Sequence, residues 1–215
     1  MERFILQVIS TFVSHDKEFL YKPRGFTNVW DMNKTIVENW NKTVSMEDDV
    51  YLLGDEFLNN NEEGLRLLKS LKGKIHIIAG NHTTDSRIEL LQQCYNVVDV
   101  KFADRITYNG YHFFLCHYPT LCSNYDDEKP LKRKMISLCG HSHTQNRFKD
   151  MDKGCIYHVE LDCLNNKPIS LDDIIKDLIS HGEINLTLRG QLNEEVSLRP
   201  VKSWDRCSVC IHEGY

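Results

Sequence analysis

Two imidazoles one residue apart, His141 and His143, follow the apolar run Met135-Ile136-Ser137-Leu138-Cys139 and Gly140, a placement at the mouth of a buried strand. Three other short apolar runs end the same way. Val50-Tyr51-Leu52-Leu53 is stopped by Gly54-Asp55, Ile75-His76-Ile77-Ile78-Ala79 by Gly80-Asn81-His82, and Tyr111 to Cys116 by His117. Neutral imidazoles joined by a carboxylate and an amide oxygen form a mixed nitrogen and oxygen donor set. Such a set suits Mn, Fe, Zn, Ni or Co rather than Ca or Mg, which prefer oxygen alone. A metal held there can bind a phosphate oxygen and lower the pKa of water toward about 7, giving a nucleophile at neutral pH. Each residue alone has an ordinary explanation: Gly-Asp and Gly-Asn-His as turns, a strand-end histidine as a hydrogen-bonded core residue. Their recurrence, each directly after a strand, is what selects the chemical reading.

The elements that must position these residues are legible in the pattern of apolar positions. Residues 1–9 read as a first buried strand, and 10–26 as a loop carrying His15, Asp16 and the turn-forming Pro23-Arg24-Gly25. Val29, Met32, Ile36, Val37 and Trp40, at spacings of three and four, predict an amphipathic helix capped by Asn28 or Asp31. A second helix carries Leu65, Leu68 and Leu71 and ends at Gly73; a third spans about 85–94. Strands and helices alternate through this half, and in open α/β sheets ligands collect at the carboxyl ends of the strands. The second half changes character: 97–100, 105–108 and 111–116 are short strands, the last two joined by the hairpin dipeptide Asn109-Gly110. A polar loop over 123–130 precedes the strand that ends at the histidine pair, 156–161 forms another strand, and Ser170 caps a helix to about 179. The expected division is a domain over 1–179 and a C-terminal extension over 180–215 without clear periodicity.

At 215 residues, 41% hydrophobic and 27% charged, the chain is long enough to bury a sizeable core and ordinary in composition for a globular protein. Its net charge of -5 argues against a broad electrostatic grip on DNA, while leaving room for a nucleotide or a phosphate ester. No apolar run is long enough to cross a bilayer and the N-terminus lacks secretory features, so a cytoplasmic location and no membrane partner are expected. The eight cysteines sit mostly in apolar runs and are expected as reduced thiols. Cys207 and Cys210, a single Cys-x-x-Cys, are a weak zinc signal, and Cys139 is expected to pack rather than react.

Taken together, Gly54-Asp55, Gly80-Asn81-His82, His117 and Gly140-His141-Ser142-His143 resemble the ordered signature of the calcineurin-like metallophosphoesterase family. Residues 28–40 and 162–173 look like its small bacterial and phage-type members, so the resemblance spans about 1–179. It implies an α/β fold of two packed sheets flanked by helices. It also implies a two-metal site in which Asp55 bridges, Asn81, His117 and His141 complete one metal, and His143 serves the other. His82 is the implied catalytic residue, contacting the phosphate and helping to protonate the leaving group. This chain departs from the pattern in three places, one of them Leu164, where a histidine is expected and a less polar rim results. Where the family carries Asp-x-His after the first strand, residues 9–15 read Ile-Ser-Thr-Phe-Val-Ser-His, which leaves the second metal depleted, with Glu56, His15 and Asp16 as possible substitutes. The acidic residue after the family's histidine is replaced by Thr83, with Asp85 nearby.

The expected function is therefore hydrolysis of a phosphomonoester or phosphodiester, a small molecule or nucleotide, by water activated on a divalent transition metal such as manganese. Loss of the first motif is expected to impair it. The alternatives are a non-catalytic metal- or phosphate-binding scaffold of the same fold and a nuclease or nucleic-acid binder, the last disfavoured by the acidic charge.

Overall fold

The structure, a computed structural model, describes residues 18–58, 60–122 and 130–182, together with the backbone of Phe4–Gln7. His15, Asp16, most of the 123–130 loop and the cysteines at 207 and 210 lie outside the described residues.

The first half forms a five-stranded sheet. Strands β1 (Phe4–Gln7), β2 (Asp49–Leu52), β3 (Lys74–Ile78) and β4 (Val97–Lys101) run parallel, and β9 (Ile169–Ser170) closes the other side antiparallel to β1, in the order β4-β3-β2-β1-β9. Val50, Leu52, Ile75 and Ile77 are fully buried, as expected of inner parallel strands covered on both faces. Helix α2 (Val29–Thr43) supplies Met32, Ile36 and Trp40 to this core. It begins where Asn28 Oδ1 accepts the Asp31 amide at 2.9 Å, and the Trp40 indole N–H donates to the Lys72 carbonyl at 2.8 Å. Helix α3 (Asn61–Lys69) is capped in the same way by Asn60 and buries Leu67 and Leu68.

The second sheet has the order β5-β6-β7-β8: β5 (Ala103–Tyr108), β6 (Tyr111–Cys116), β7 (Met135–Cys139) and β8 (Ile156–His158). β5 and β6 form an antiparallel hairpin turned by Asn109 and Gly110, both with positive φ (50° and 79°), the backbone a two-residue turn of this twist requires. β6, β7 and β8 are parallel, so β6 and β7 deliver His117 and His141 at the same end. The two-sheet α/β architecture flanked by helices is as expected from the sequence.

Several boundaries differ. The stretch read as a loop over 10–26 contains a one-turn helix, α1 (Glu18–Tyr21), because Leu20 and Tyr21 find burial there. Leu71 lies beyond the end of α3 yet is buried, so the third leucine of that stripe packs from the connection. Helix α4 (Asp85–Leu91) is shorter than read, and β4 is the fourth parallel strand of the first sheet rather than part of the second-half meander. The strand read over 156–161 stops at His158 and gives way to a 3-10 turn at Leu161–Cys163. Ser170, read as a cap, both ends β9 and accepts the Asp173 amide at 3.1 Å, opening helix α5 over 171–182. By its contacts the chain divides into Met1–Ile174, which holds both sheets, and Ile175–Tyr215, described only through 182. No helix among the described residues is long and apolar enough to cross a membrane.

Candidate metal centre

β2, β3, β6 and β7 each end in a sharp turn that carries one polar side chain to a common point. Gly54 and Asp55 both adopt positive φ (83° and 51°), a turn that brings the Asp55 carboxylate against the His82 amide and the His117 ring. A Cβ on Gly54 would stand 2.8 Å from His117 Cγ, and one on Gly80 would stand 2.8 Å from the Asp55 amide nitrogen. The two glycines thus provide the closeness the side chains need.

Asp55 Oδ1 accepts the His82 amide at 2.9 Å while its Oδ2 lies 3.3 Å from His117 Nε2. The His117 ring is fully buried, and its Nδ1 lies 2.9 Å from the Leu53 carbonyl, which can only accept. The Nδ1 proton is therefore fixed, and Nε2 is the atom turned toward the site. That nitrogen lies 2.9 Å from Asn81 Oδ1 and 3.1 Å from His141 Nδ1, and His141 Nδ1 is 3.0 Å from Asn81 Oδ1. Ligand atoms of Asp55, His117 and His141 all lie within 4.8 Å of one another. A carboxylate oxygen, an amide oxygen and two ring nitrogens facing each other make a set of atoms that could hold a metal ion. A transition metal with mixed nitrogen and oxygen ligands fits that donor set.

The electrostatics agree. Burial pushes the Asp55 carboxyl up, but the hydrogen bond and charge of His117 and the His82 amide outweigh it, leaving Asp55 below its ordinary range. Burial also disfavours charge on His117, yet Asp55 and the Leu53 carbonyl hold it above its usual value. His141 is lowered by burial and by the charge of His117.

Asp55, Asn81, His117 and His141 are thus brought together. His143 is not among the three side chains that close to within 4.8 Å; its Nδ1 faces Asp162 Oδ2 at 3.3 Å. His82 is exposed, and its carbonyl accepts Arg87 Nη1 at 2.5 Å. Asp85, exposed at the start of α4, makes no hydrogen bond to the His82 ring among the described residues. Glu56 is fully buried beside Asp55 and accepts the Thr83 hydroxyl at 3.0 Å; burial pushes its carboxyl up to about 7. Cys139 is buried against His158 and Tyr157, its thiol pushed well up by burial, which fits packing rather than nucleophilic attack.

The residues that hold the histidine pair in place are long-range partners which the sequence reading did not single out. Glu160, fully buried just after β8, accepts the Ser142 amide at 2.8 Å, the Ser142 hydroxyl at 3.1 Å and the Thr144 amide. It grips the loop at alternate residues and leaves His141 and His143 in positive φ (74° and 48°). Behind it, buried His158 lies 3.4 Å from Glu160 Oε1 and 2.8 Å from Asp150 Oδ2. Arg24, read as part of a turn, reaches Asp162 by two contacts of 3.0 and 2.8 Å. A sequence signal existed only in Glu160 and Asp162 being acids flanked by apolar residues, a placement that demands buried partners.

These features define a two-sheet α/β protein with a metal-type cluster at its strand ends. The uncharacterized protein MJ1445 of Methanocaldococcus jannaschii is 33% identical over 195 residues, spanning 86% of this chain and 97% of that one, and the chain belongs to the same family. Among solved structures, AQ665 of Aquifex aeolicus, a protein of unknown function, superposes with a TM-score of 0.63 at 23% identity, over 82% of this chain and 99% of that one. YfcE, a phosphoesterase from E. coli, gives a TM-score of 0.36 at 14% identity, over 74% and 78% of the two chains. No protein-family model matches the chain.

Proposed function

We propose that this protein is a metal-dependent phosphoesterase of the calcineurin-like type, acting on a phosphomonoester or phosphodiester in the cytoplasm. The observation that carries the reading is the convergence of Asp55 Oδ2, Asn81 Oδ1 and His141 Nδ1 on the fixed Nε2 of His117. Asp55, Asn81, His117 and His141 would hold a divalent transition metal, manganese being the one to try first. When bound, it supplies Lewis acidity toward a phosphate oxygen and a lowered pKa for water. The chain's own contribution is to preorganise the donors. Leu53 sets the His117 tautomer and the His82 amide orients Asp55, so little rearrangement is needed on loading. His82, exposed next to Asn81, is the side chain assigned to the leaving group, and its ring has no carboxylate partner among the described residues.

The protein purified with Mn is expected to carry metal by elemental analysis and to hydrolyse a chromogenic phosphodiester. Asp55→Asn should lose both. A second reading, a metal- or phosphate-binding scaffold without turnover, is favoured by the absence of an Asp-x-His at residues 9–15. Bound metal with background hydrolysis across a panel of monoesters and diesters would decide for it.

A further inference from the structure

We propose that Arg24 and Asp162 are positioning residues for His143, holding its imidazole with the proton on Nδ1 so that Nε2 is the atom offered to the metal centre. The inference rests on the metal-centre reading above and concerns the one histidine of the pair that the cluster itself leaves aside.

Asp162 sits in the 3-10 turn after β8 and its side chain is 4% exposed; that of Arg24, in the connection between α1 and α2, is wholly buried. The guanidinium grips the carboxylate by two prongs, Nε to Oδ1 at 3.0 Å and Nη2 to Oδ2 at 2.8 Å. Arg24 is itself anchored, with Nη1 3.7 Å from Met32 Sδ on α2 and its carbonyl accepting Asn166 Nδ2 at 3.3 Å. The pair is therefore a rigid strut between the first helix of the core and the loop after β8.

A buried ion pair is a poor way to stabilise a fold. Desolvating both groups costs about as much as their attraction returns, and apolar side chains of similar volume often do as well. What an apolar pair cannot do is accept a proton-bearing ring nitrogen. Asp162 Oδ2, besides holding Arg24, lies 3.3 Å from His143 Nδ1, with Arg24 Nη2 3.4 Å from the same nitrogen. With Arg24 held against both of its oxygens, Asp162 faces His143 as a carboxylate acceptor. Arg24 can only donate, so Asp162 is the one of these two neighbours that can take an Nδ1 proton. A neutral ring so tied has its lone pair on Nε2, the arrangement of carboxylate–histidine–metal relays.

The root of the side chain is fixed independently. Glu160 holds the Thr144 amide and His143 has a φ of 48°, so the ring is held at its base by one acid and at Nδ1 by another. The side chain is 34% exposed.

The test uses the full chain. Long-range 1H–15N correlation spectra of the histidine rings, with His143 assigned by its loss in His143→Gln, should show Nδ1 protonated and Nε2 bare. Asp162→Asn should mix the tautomers. Titration with Mn by calorimetry should show the binding step that His143→Gln removes weakened about 10- to 100-fold in Asp162→Asn and Arg24→Lys, the range usual for a lost outer partner of a ligating histidine. Arg24→Lys keeps the charge but not the two-pronged grip, and circular dichroism checks that each variant is folded. A wild-type His143 carrying its proton on Nε2 would overturn the proposal, as would folded variants that bind Mn like wild type. If neither variant folds, the wild-type tautomer decides alone. Mn binding without ester hydrolysis would end the phosphoesterase reading and leave this one standing, whereas no Mn binding at all would end both.

Discussion

At the scale of single residues, the carboxyl next to Asp55 has the most distinctive chemistry. Glu56 is fully buried, its Oε1 has no partner among the described residues, and burial lifts its pKa from 4.5 to about 7. The folded state thus holds a proton that the unfolded chain has already released between those values, and stability falls as pH rises through that window. Its contribution is complete below pH 4.5 and gone above about 7; at 1.36 kcal/mol per unit the difference is roughly 3 kcal/mol. Urea unfolding of the metal-free protein at a series of pH values should show Glu56→Gln lacking this decline. Parallel profiles for the two proteins would mean that Glu56 is not protonated in the fold. Asp55, one residue earlier, is pulled the opposite way by His117 and the His82 amide, so adjacent acids are held in opposite charge states. The sequence Gly54-Asp55-Glu56 shows two acids after a strand, and nothing in it tells which will be charged. That depends on whether an imidazole or an apolar wall lies opposite, which only the folded chain decides.

At the scale of elements, the four strands that end in polar residues are readable because a buried strand is a short apolar run, stopped by a glycine in three of them and by His117 in the fourth. Asn28, Asn60, Ser170 and the Asn109-Gly110 turn were readable for a similar reason, since each acts on backbone within a few residues of itself. The support of the histidine loop was not, because Glu160 lies 18 residues from Ser142 and belongs to a different strand's exit. Removing that support should open the loop. Glu160→Gln can satisfy one amide but turns an NH2 toward another donor or toward His158, and leaving a buried donor unmet costs about 1–3 kcal/mol. The expected result is a lower urea midpoint with unchanged slope and a weaker Mn affinity, whereas Glu62→Gln on the exposed face of α3 should do neither. An unchanged Mn affinity in a Glu160→Gln protein of reduced stability would confine Glu160 to the fold and remove it from the site.

At the scale of the whole molecule, the alternation of strands and helices identifies the parallel sheet, but it does not reveal where the sheet stops. β4 reads with the short strands of the second half because Asp99 and Lys101 interrupt its apolar run, and β9 is hidden inside a capping signal because two residues carry no periodicity. The position of β9 has a consequence for how the chain is made. β1 pairs with β2 on one side and with β9 on the other, partners about 45 and 165 residues downstream by register. A chain emerging from the ribosome can align β1, β2, β3 and β4 early, but it must carry β1 with one open backbone edge until almost the last strand is available. An open edge invites pairing with another chain. Chains ended just before Ile169 are therefore expected to self-associate, by light scattering, at concentrations where the full chain does not. If they stay dispersed, the edge of β1 is guarded by something other than β9. The interval of synthesis most exposed to such pairing is therefore the one just before β9 becomes available to β1.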